Sequence, residues 1–249
     1  MHTRAGNAGA ARTMDKPLIP LHADHEPTRR RLADGTLLDT WRALAPPGIR
    51  IRSDEELDAS CAQALERLGP GADLHVFGYG SLMWNPALDA AHTCIARVQG
   101  WHRRFCMRTL LGRGSAQAPG AMLALDRGGA CQGVLFRIAA ANVQAEARLL
   151  WRREMIAGSY EPRWVPACVD GVTIPALTFV GNRHHERYLG RQPMEDIARL
   201  VRTGRGSLGT SRAYFDATLE ALDFLGIRDQ GLERLRRVIL RADAAEGAA

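Results

Sequence analysis

Glu154 lies where a carboxylate is costly to place. A helix that Asn142 can cap is predicted to run to Gly158, and Val143, Ala147, Leu150 and Trp151 fall along it at i, i+4, i+7 and i+8. The next position on that apolar stripe, i+11, is Glu154, whereas Arg152 and Arg153 are expected to project elsewhere as solvated residues. Burying a lone carboxylate costs several kcal/mol unless it is paired or its pKa rises until it is partly neutral. In that setting a glutamate can act as general acid or base near neutral pH. The competing reading of the same pattern is an ion pair between Glu154 and an arginine near the helix end.

A second candidate is the stretch His75-Val-Phe-Gly-Tyr-Gly-Ser-Leu-Met-Trp84, in which a short apolar run meets Gly78 and Gly80 and then the hydroxyl of Ser81. It reads as a strand entering a tight loop, where glycine accepts positive φ and lets a ligand approach the main chain. The N–H groups of Tyr79, Gly80, Ser81 and Leu82 would then hold an anionic or carbonyl substrate. The dinucleotide and phosphate-loop patterns are not completed, and Ser81 is not in a Gly-x-Ser-x-Gly elbow, so a plain strand-end turn explains the stretch equally well in isolation. A third segment, Gly112 to Gly120 with Arg113, is one-sidedly basic and reads as a flexible loop able to close over a substrate carboxylate, or as a surface connection. His184-His185-Glu186 lacks helical metal spacing, and His102 and Cys106 sit in a strand-like run, so neither a metal site nor a Cys/His nucleophile is expected.

These candidates need elements to position them. Residues 1–25 are poor in large apolar side chains and are expected to form a disordered tail, with a helical N-terminal extension over 26–71. In that extension Arg29 to Trp41 form short turns until Pro46-Pro47, where no function is expected, and Ser53-Asp-Glu-Glu56 is a capping box opening a helix that Gly69-Pro70 ends. The catalytic domain is expected over 72–241, with a flexible tail over 242–249. Strands are predicted at 74–78, 94–100, 103–110, 121–126, 131–138, 163–169 and 174–181, with Asp126-Arg-Gly-Gly129 as a hairpin turn. Further helices start near Pro193, at Ser211 as a cap, and at Asp229 as a cap.

A chain of 249 residues, 46% hydrophobic and 24% charged, fits one catalytic unit with an extension. The net charge of +6 is mild and its arginines are spread through every segment, so nucleic acid is not the expected partner. Five scattered cysteines without a C-x-x-C suit a reducing cytoplasm, and no apolar run reaches the ~20 residues that a membrane span needs.

With those residues in view, the chain resembles the ChaC-type γ-glutamylcyclotransferases, in their bacterial form. The resemblance runs from about Val76 to Val238. It is carried by Val76-Phe-Gly-Tyr-Gly-Ser-Leu-Met-Trp-Asn-Pro86, Gly100-Trp-His-Arg-Arg-Phe-Cys106, the loop from Arg113-Gly-Ser to Pro119-Gly120, and Leu125-Asp-Arg-Gly-Gly-Ala-Cys-Gln-Gly133. Trp151-Arg-Arg-Glu-Met155 with Tyr160, Tyr188-Leu-Gly190 and Leu225-Gly-Ile-Arg-Asp229 complete it. The resemblance implies an α+β fold, a small closed β-barrel of mixed strands flanked by helices. It also implies cleavage of glutathione, a small-molecule substrate, into 5-oxoproline and cysteinylglycine without metal or cofactor.

The family's substrate-holding Tyr-Gly-Ser-Leu motif falls on Tyr79 to Leu82, its catalytic glutamate on Glu154, and a tyrosine near the substrate on Tyr214. Around these the chain departs from the commoner pattern, reading Gly209-Thr-Ser-Arg-Ala-Tyr-Phe215 where a cysteine-containing segment is frequent, and Ser115-Ala-Gln117 where Thr-Pro-Glu is commoner. The reaction would have the γ-glutamyl α-amine attack its own γ-carbonyl, with Glu154 as general acid/base and loop N–H groups holding the oxyanion. Two rival readings are a γ-glutamyl amidohydrolase with Ser81 as nucleophile, and a non-enzymatic basic module binding nucleic acid or an acidic partner.

Overall fold

The computed structural model describes Ala23 and residues 25–247, so the expected tail over 1–25 lies, apart from Ala23 and His25, outside the described residues. Two short helices, α1 (His25–Ala33) and α2 (Thr36–Leu44), precede α3 (Asp54–Leu65). The predicted capping box opens α3: the Glu56 N–H donates to Ser53 Oγ, and the Ser53 N–H to the Glu56 carboxylate.

Five strands close into a barrel: β1 (Leu74–Gly78), β2 (His92–Thr109), β3 (Gly120–Ile138), β4 (Tyr160–Val169) and β5 (Val172–Gly181), in the order β1-β3-β2-β4-β5. β1 also pairs parallel with β5 at Val76 and Leu177, and β3 meets β5 in parallel at Leu125 and Val180. The sheet is therefore mixed, and closure leaves no open edge. Between β1 and β2 lies one turn of helix, α4 (Ser81–Trp84); α5 (Val143–Glu154) follows β3. After the barrel come α6 (Met194–Thr203), the two-residue strands β6 (Arg205–Gly206) and β7 (Gly209–Thr210), α7 (Ser211–Phe224) and α8 (Gln230–Gly247).

Two pairs of predicted strands are single long strands. The segments 94–100 and 103–110 both belong to β2, and 121–126 and 131–138 both belong to β3. The expected hairpin at Asp126 to Gly129 is not a turn. The register passes from Gln99 opposite Ala130 to Trp101 opposite Arg127, which sets Gly128 and Gly129 against Gly100 alone, and all three have positive φ. A β-bulge demands left-handed glycines as a turn does, so the local signal fits both.

Asp126, read as a turn residue, is a buried hub. Its carboxylate accepts from Arg104, Arg183 and the Tyr188 hydroxyl, and these hydrogen bonds outweigh the burial that would raise its pKa, holding it below the usual carboxylate range. The cap of α7 is Thr210, not Ser211: Thr210 Oγ1 accepts from the Ala213 N–H at 3.0 Å. Ser211 instead sits fully buried with its hydroxyl bonded to both backbone groups of Ala121. α8 continues to Gly247, past the expected end at 241, and Asp243 within it pairs with Arg202 at 2.6 Å and Arg212 at 2.7 Å.

Candidate active site

The glycines after β1 have a steric cause. Gly80 has φ −134°, and a Cβ on it would lie 2.9 Å from the Tyr214 hydroxyl and 3.3 Å from Leu123 Cδ2. A Cβ on Gly78 would lie 2.9 Å from both Leu82 Cβ and a Phe136 ring carbon. Close approach, not the expected positive φ, therefore fixes glycine at both places.

Arg103 supports this loop from behind. Its side chain is 1% exposed, and it donates to the Tyr79 carbonyl at 2.5 Å, to the Asp229 carboxylate at 2.9 Å and to the Gln132 carbonyl. Asp229 meanwhile caps α8, accepting from the Gly231 and Leu232 N–H groups. Sequence reasoning assigned Arg103 no role. The signal is its parity: in a strand, Arg103 shares its face with Phe105, which is buried.

The Tyr79 phenol is structural as well. It accepts from the Leu125 N–H and donates to the Phe179 carbonyl at 2.7 Å, bridging the seam where β3 and β5 meet. Tyr79→Phe is expected to destabilise the fold by about 1–3 kcal/mol, because two buried backbone groups lose their partner. Denaturant unfolding of the two proteins measures this, and equal midpoints would remove the phenol's seam role.

α5 ends on Glu154, four residues short of the predicted Gly158, and the stripe of Val143, Ala147, Leu150 and Trp151 is buried as expected. Trp151 packs edge-on against Phe179, with ring centroids 5.3 Å apart. The Glu154 side chain is 16% exposed and its pKa is raised by burial, against the opposing pull of Arg153. Arg153 corrects the expectation that it is solvated. Its Nε stands 3.0 Å from Glu154 Oε1, and its guanidinium donates to Ser81 Oγ at 2.9 Å and to the carbonyls of Asn85 and Pro86. Both readings of Glu154 thus hold together: it is on the buried face, and it is paired.

Glu154 opens into a cavity of about 480 Å³. Tyr79, Gly80, Ser81, Leu82, Arg113 and Tyr214, each a candidate from sequence, line it together. Tyr214 comes from α7, its ring 6.0 Å from those of Trp84 and Phe105. Burial and the Glu154 charge push its pKa up, so its hydroxyl stays protonated, and it accepts from the Ser81 N–H. Tyr160, another lining residue, donates to the Leu123 carbonyl at 2.8 Å. The segment carrying Arg113 is tied down rather than hanging free. The Leu208 N–H bonds to the Gly112 carbonyl and the Arg205 N–H to that of Ala118, while a Cβ on Gly114 would lie 2.3 Å from the Thr109 oxygen.

The N-terminal helices, expected to carry no function, form one wall: Pro27, Thr28, Arg31, Leu37 and Trp41 face the cavity. They are fastened to α5. Arg29 pairs bidentately with the buried Glu146 at 2.5 and 2.7 Å, and Arg152 donates to the carbonyls of Leu32 and Ala33. Among the described residues no histidine and no second carboxylate lines the cavity, nor do three His, Cys, Asp or Glu side chains gather as a metal cage would require. Chemically the cavity offers one proton acceptor of raised pKa, protonated phenols, and an arginine excess suited to an anionic ligand.

Comparison with known proteins places the chain in a family. A profile of the ChaC-like protein family matches residues 74–242. The glutathione-specific γ-glutamylcyclotransferase of Escherichia coli is 41% identical over 184 residues, 74% of this chain and 80% of that protein. The mouse glutathione-specific γ-glutamylcyclotransferase 1 is 31% identical over 172 residues, 65% of this chain and 76% of that one. A crystal structure of a yeast γ-glutamyl cyclotransferase specific to glutathione superposes with a TM-score of 0.63 at 18% identity, covering 68% of this chain and 96% of the other, which establishes the shared fold. The chain belongs to the ChaC family.

Proposed function

We propose that the protein degrades glutathione to 5-oxoproline and cysteinylglycine, with Glu154 as the general acid/base. The observation that carries this reading is the placement of one carboxylate of raised pKa, Glu154, in the lining of the same cavity as the Tyr79–Leu82 segment. The γ-glutamyl α-ammonium gives a proton to Glu154, and the freed amine attacks the γ-carbonyl carbon, forming the lactam C–N bond. Charge collects on the carbonyl oxygen, for which the protonated Tyr214 hydroxyl, itself held by the Ser81 N–H, and the other amides of the Tyr79–Leu82 segment are the donors that line the cavity. The bond to the cysteine nitrogen then breaks as Glu154 returns the proton to that leaving nitrogen, and the second hydrogen of the attacking nitrogen leaves as a proton, so that a neutral lactam and the ammonium of cysteinylglycine result. Folding the substrate into its cyclising conformation contributes through proximity.

The Ser81 amidohydrolase is disfavoured by its surroundings. Ser81 Oγ accepts from Arg153, which cannot take its proton, and no histidine lines the cavity among the described residues. The nucleic-acid reading is weakened by the arginines' internal engagement, with Arg29, Arg103, Arg104, Arg183, Arg202 and Arg212 all ion-paired. The deciding assay incubates the purified protein with glutathione, γ-glutamylcysteine and γ-glutamylalanine without added metal. Formation of 5-oxoproline from glutathione supports the proposal; free glutamate instead points to hydrolysis, and no product from any of the three refutes both.

The N-terminal wall has its own consequence. Arg29→Met leaves the buried Glu146 without its cation, which typically costs about 3–5 kcal/mol, and loosens one side of the site. The expected result is a lower Tm with KM raised more than kcat is reduced, and a recovered Tm when Glu146→Met is added. A Tm unaffected by Arg29→Met would show that the pair does not fasten the wall.

A further inference from the structure

Arg187 is a charged residue of the cavity that the proposed mechanism does not use. It lies on the segment after β5 and is 8% exposed, and its backbone is fixed from several sides. Its N–H donates to His185 Nδ1, its carbonyl accepts from the Arg108 N–H at 2.8 Å, and Leu189 beyond it bonds to the Cys106 carbonyl. His185 in turn is held by the Ala157 carbonyl at 3.0 Å, so the arginine is carried on a short, braced turn.

The side chain has no such provision. Its Nε is buried without a hydrogen-bond acceptor, and among the described residues Arg187 forms no ion pair. Glu186 beside it is exposed, and Glu154 is paired with Arg153. A guanidinium out of water with an unmet N–H is costly to the folded protein, and that cost is relieved when an anion enters the same cavity. The planar fork of arginine fits a carboxylate through two parallel hydrogen bonds.

Resting on the reaction proposed above, we infer that Arg187 is a specificity-determining residue that binds a carboxylate of the γ-glutamyl substrate. Glutathione offers two, the α-carboxylate of its glutamyl residue and the carboxylate of its glycine. Either would satisfy the orphaned N–H, and the test separates them.

Binding is measured by calorimetry in a Glu154→Gln background, which removes turnover, using glutathione and glutathione whose glycine carboxylate is converted to the amide. Arg187→Gln is expected to weaken glutathione binding about tenfold to a hundredfold, with Arg187→Lys between the two. If the glycine carboxylate is the ligand, the amide binds weakly to the parent and Arg187→Gln adds no further loss. If the α-carboxylate is the ligand, Arg187→Gln weakens both compounds alike. Ligand-free Arg187→Gln is expected to melt no lower than the parent, because an uncompensated buried charge has gone; a purely structural arginine would lower the Tm.

Unchanged glutathione affinity in Arg187→Gln overturns the inference, as does a lowered Tm without loss of affinity. Wild-type protein that makes 5-oxoproline while Arg187→Gln binds normally refutes this inference alone. Arg187-dependent glutathione binding without any 5-oxoproline refutes the reaction and leaves the carboxylate site standing. If the parent binds no glutathione, both fall.

Discussion

Glu154→Gln is expected to reduce kcat for 5-oxoproline formation by about a hundredfold to ten-thousandfold, the range that a positioned general acid/base supplies, while glutathione still binds. The amide of glutamine keeps the shape and can accept from Arg153, but it cannot take a proton from an ammonium. In the wild type, burial raises the Glu154 pKa, so activity should fall with decreasing pH at a point above the ordinary carboxylate range of ~4.3. The stability effect has the opposite sense. A carboxyl whose folded pKa lies above its unfolded one favours folding only while protonated, so its contribution is present below the unfolded pKa and lost as pH rises through the folded value. Glu154→Gln should therefore melt at or above the wild-type temperature at pH 7, and the two should converge as the pH falls toward ~4. Arg153 is not orphaned by the change, since it keeps Ser81, Asn85 and Pro86. Wild-type turnover in the variant would remove Glu154 from the reaction.

Glu154 was legible because a helix has a countable face: a carboxylate at i+11 of an apolar stripe stands out without any knowledge of the fold. The loop of Tyr79 to Leu82 was legible as a place but not as a mechanism, because Gly-x-Gly does not say whether glycine is needed for its φ or for the room it leaves. Here the room decides, since the Tyr214 hydroxyl comes within 2.9 Å of where a Gly80 Cβ would be, and that contact joins residues far apart in the chain. The bulge at Gly100, Gly128 and Gly129 was misread for a related reason, as left-handed glycines serve turns and bulges alike. Arg153 and the N-terminal wall were missed because arginines and short helical turns are solvated by default. Only the tertiary arrangement, with Arg29 on Glu146 and Arg153 on Ser81, turns them inward.

Arg103→Met is expected to lower stability by about 3–5 kcal/mol, the usual cost of breaking a buried charged network by removing one partner. For a chain of this size that corresponds to a fall in Tm of roughly 6–20 °C. The loss has two parts. One is electrostatic: Asp229, 17% exposed, gives up its cation and keeps only the N–H groups that cap α8. The other is local: the carbonyls of Tyr79 and Gln132 lose their donor, and the first of these holds the strand end from which the substrate loop starts. Adding Asp229→Asn should recover part of the Tm by neutralising the stranded carboxylate while leaving an oxygen to cap α8, but it restores no donor to the Tyr79 carbonyl. Activity should therefore stay low in the double variant even where its Tm has risen. Arg103→Lys should retain the Asp229 pair without reaching all three acceptors, giving an intermediate Tm with impaired kcat. If kcat followed Tm in parallel through the single, double and lysine variants, Arg103 would be a general stabiliser, and its specific support of the Tyr79 loop would be wrong.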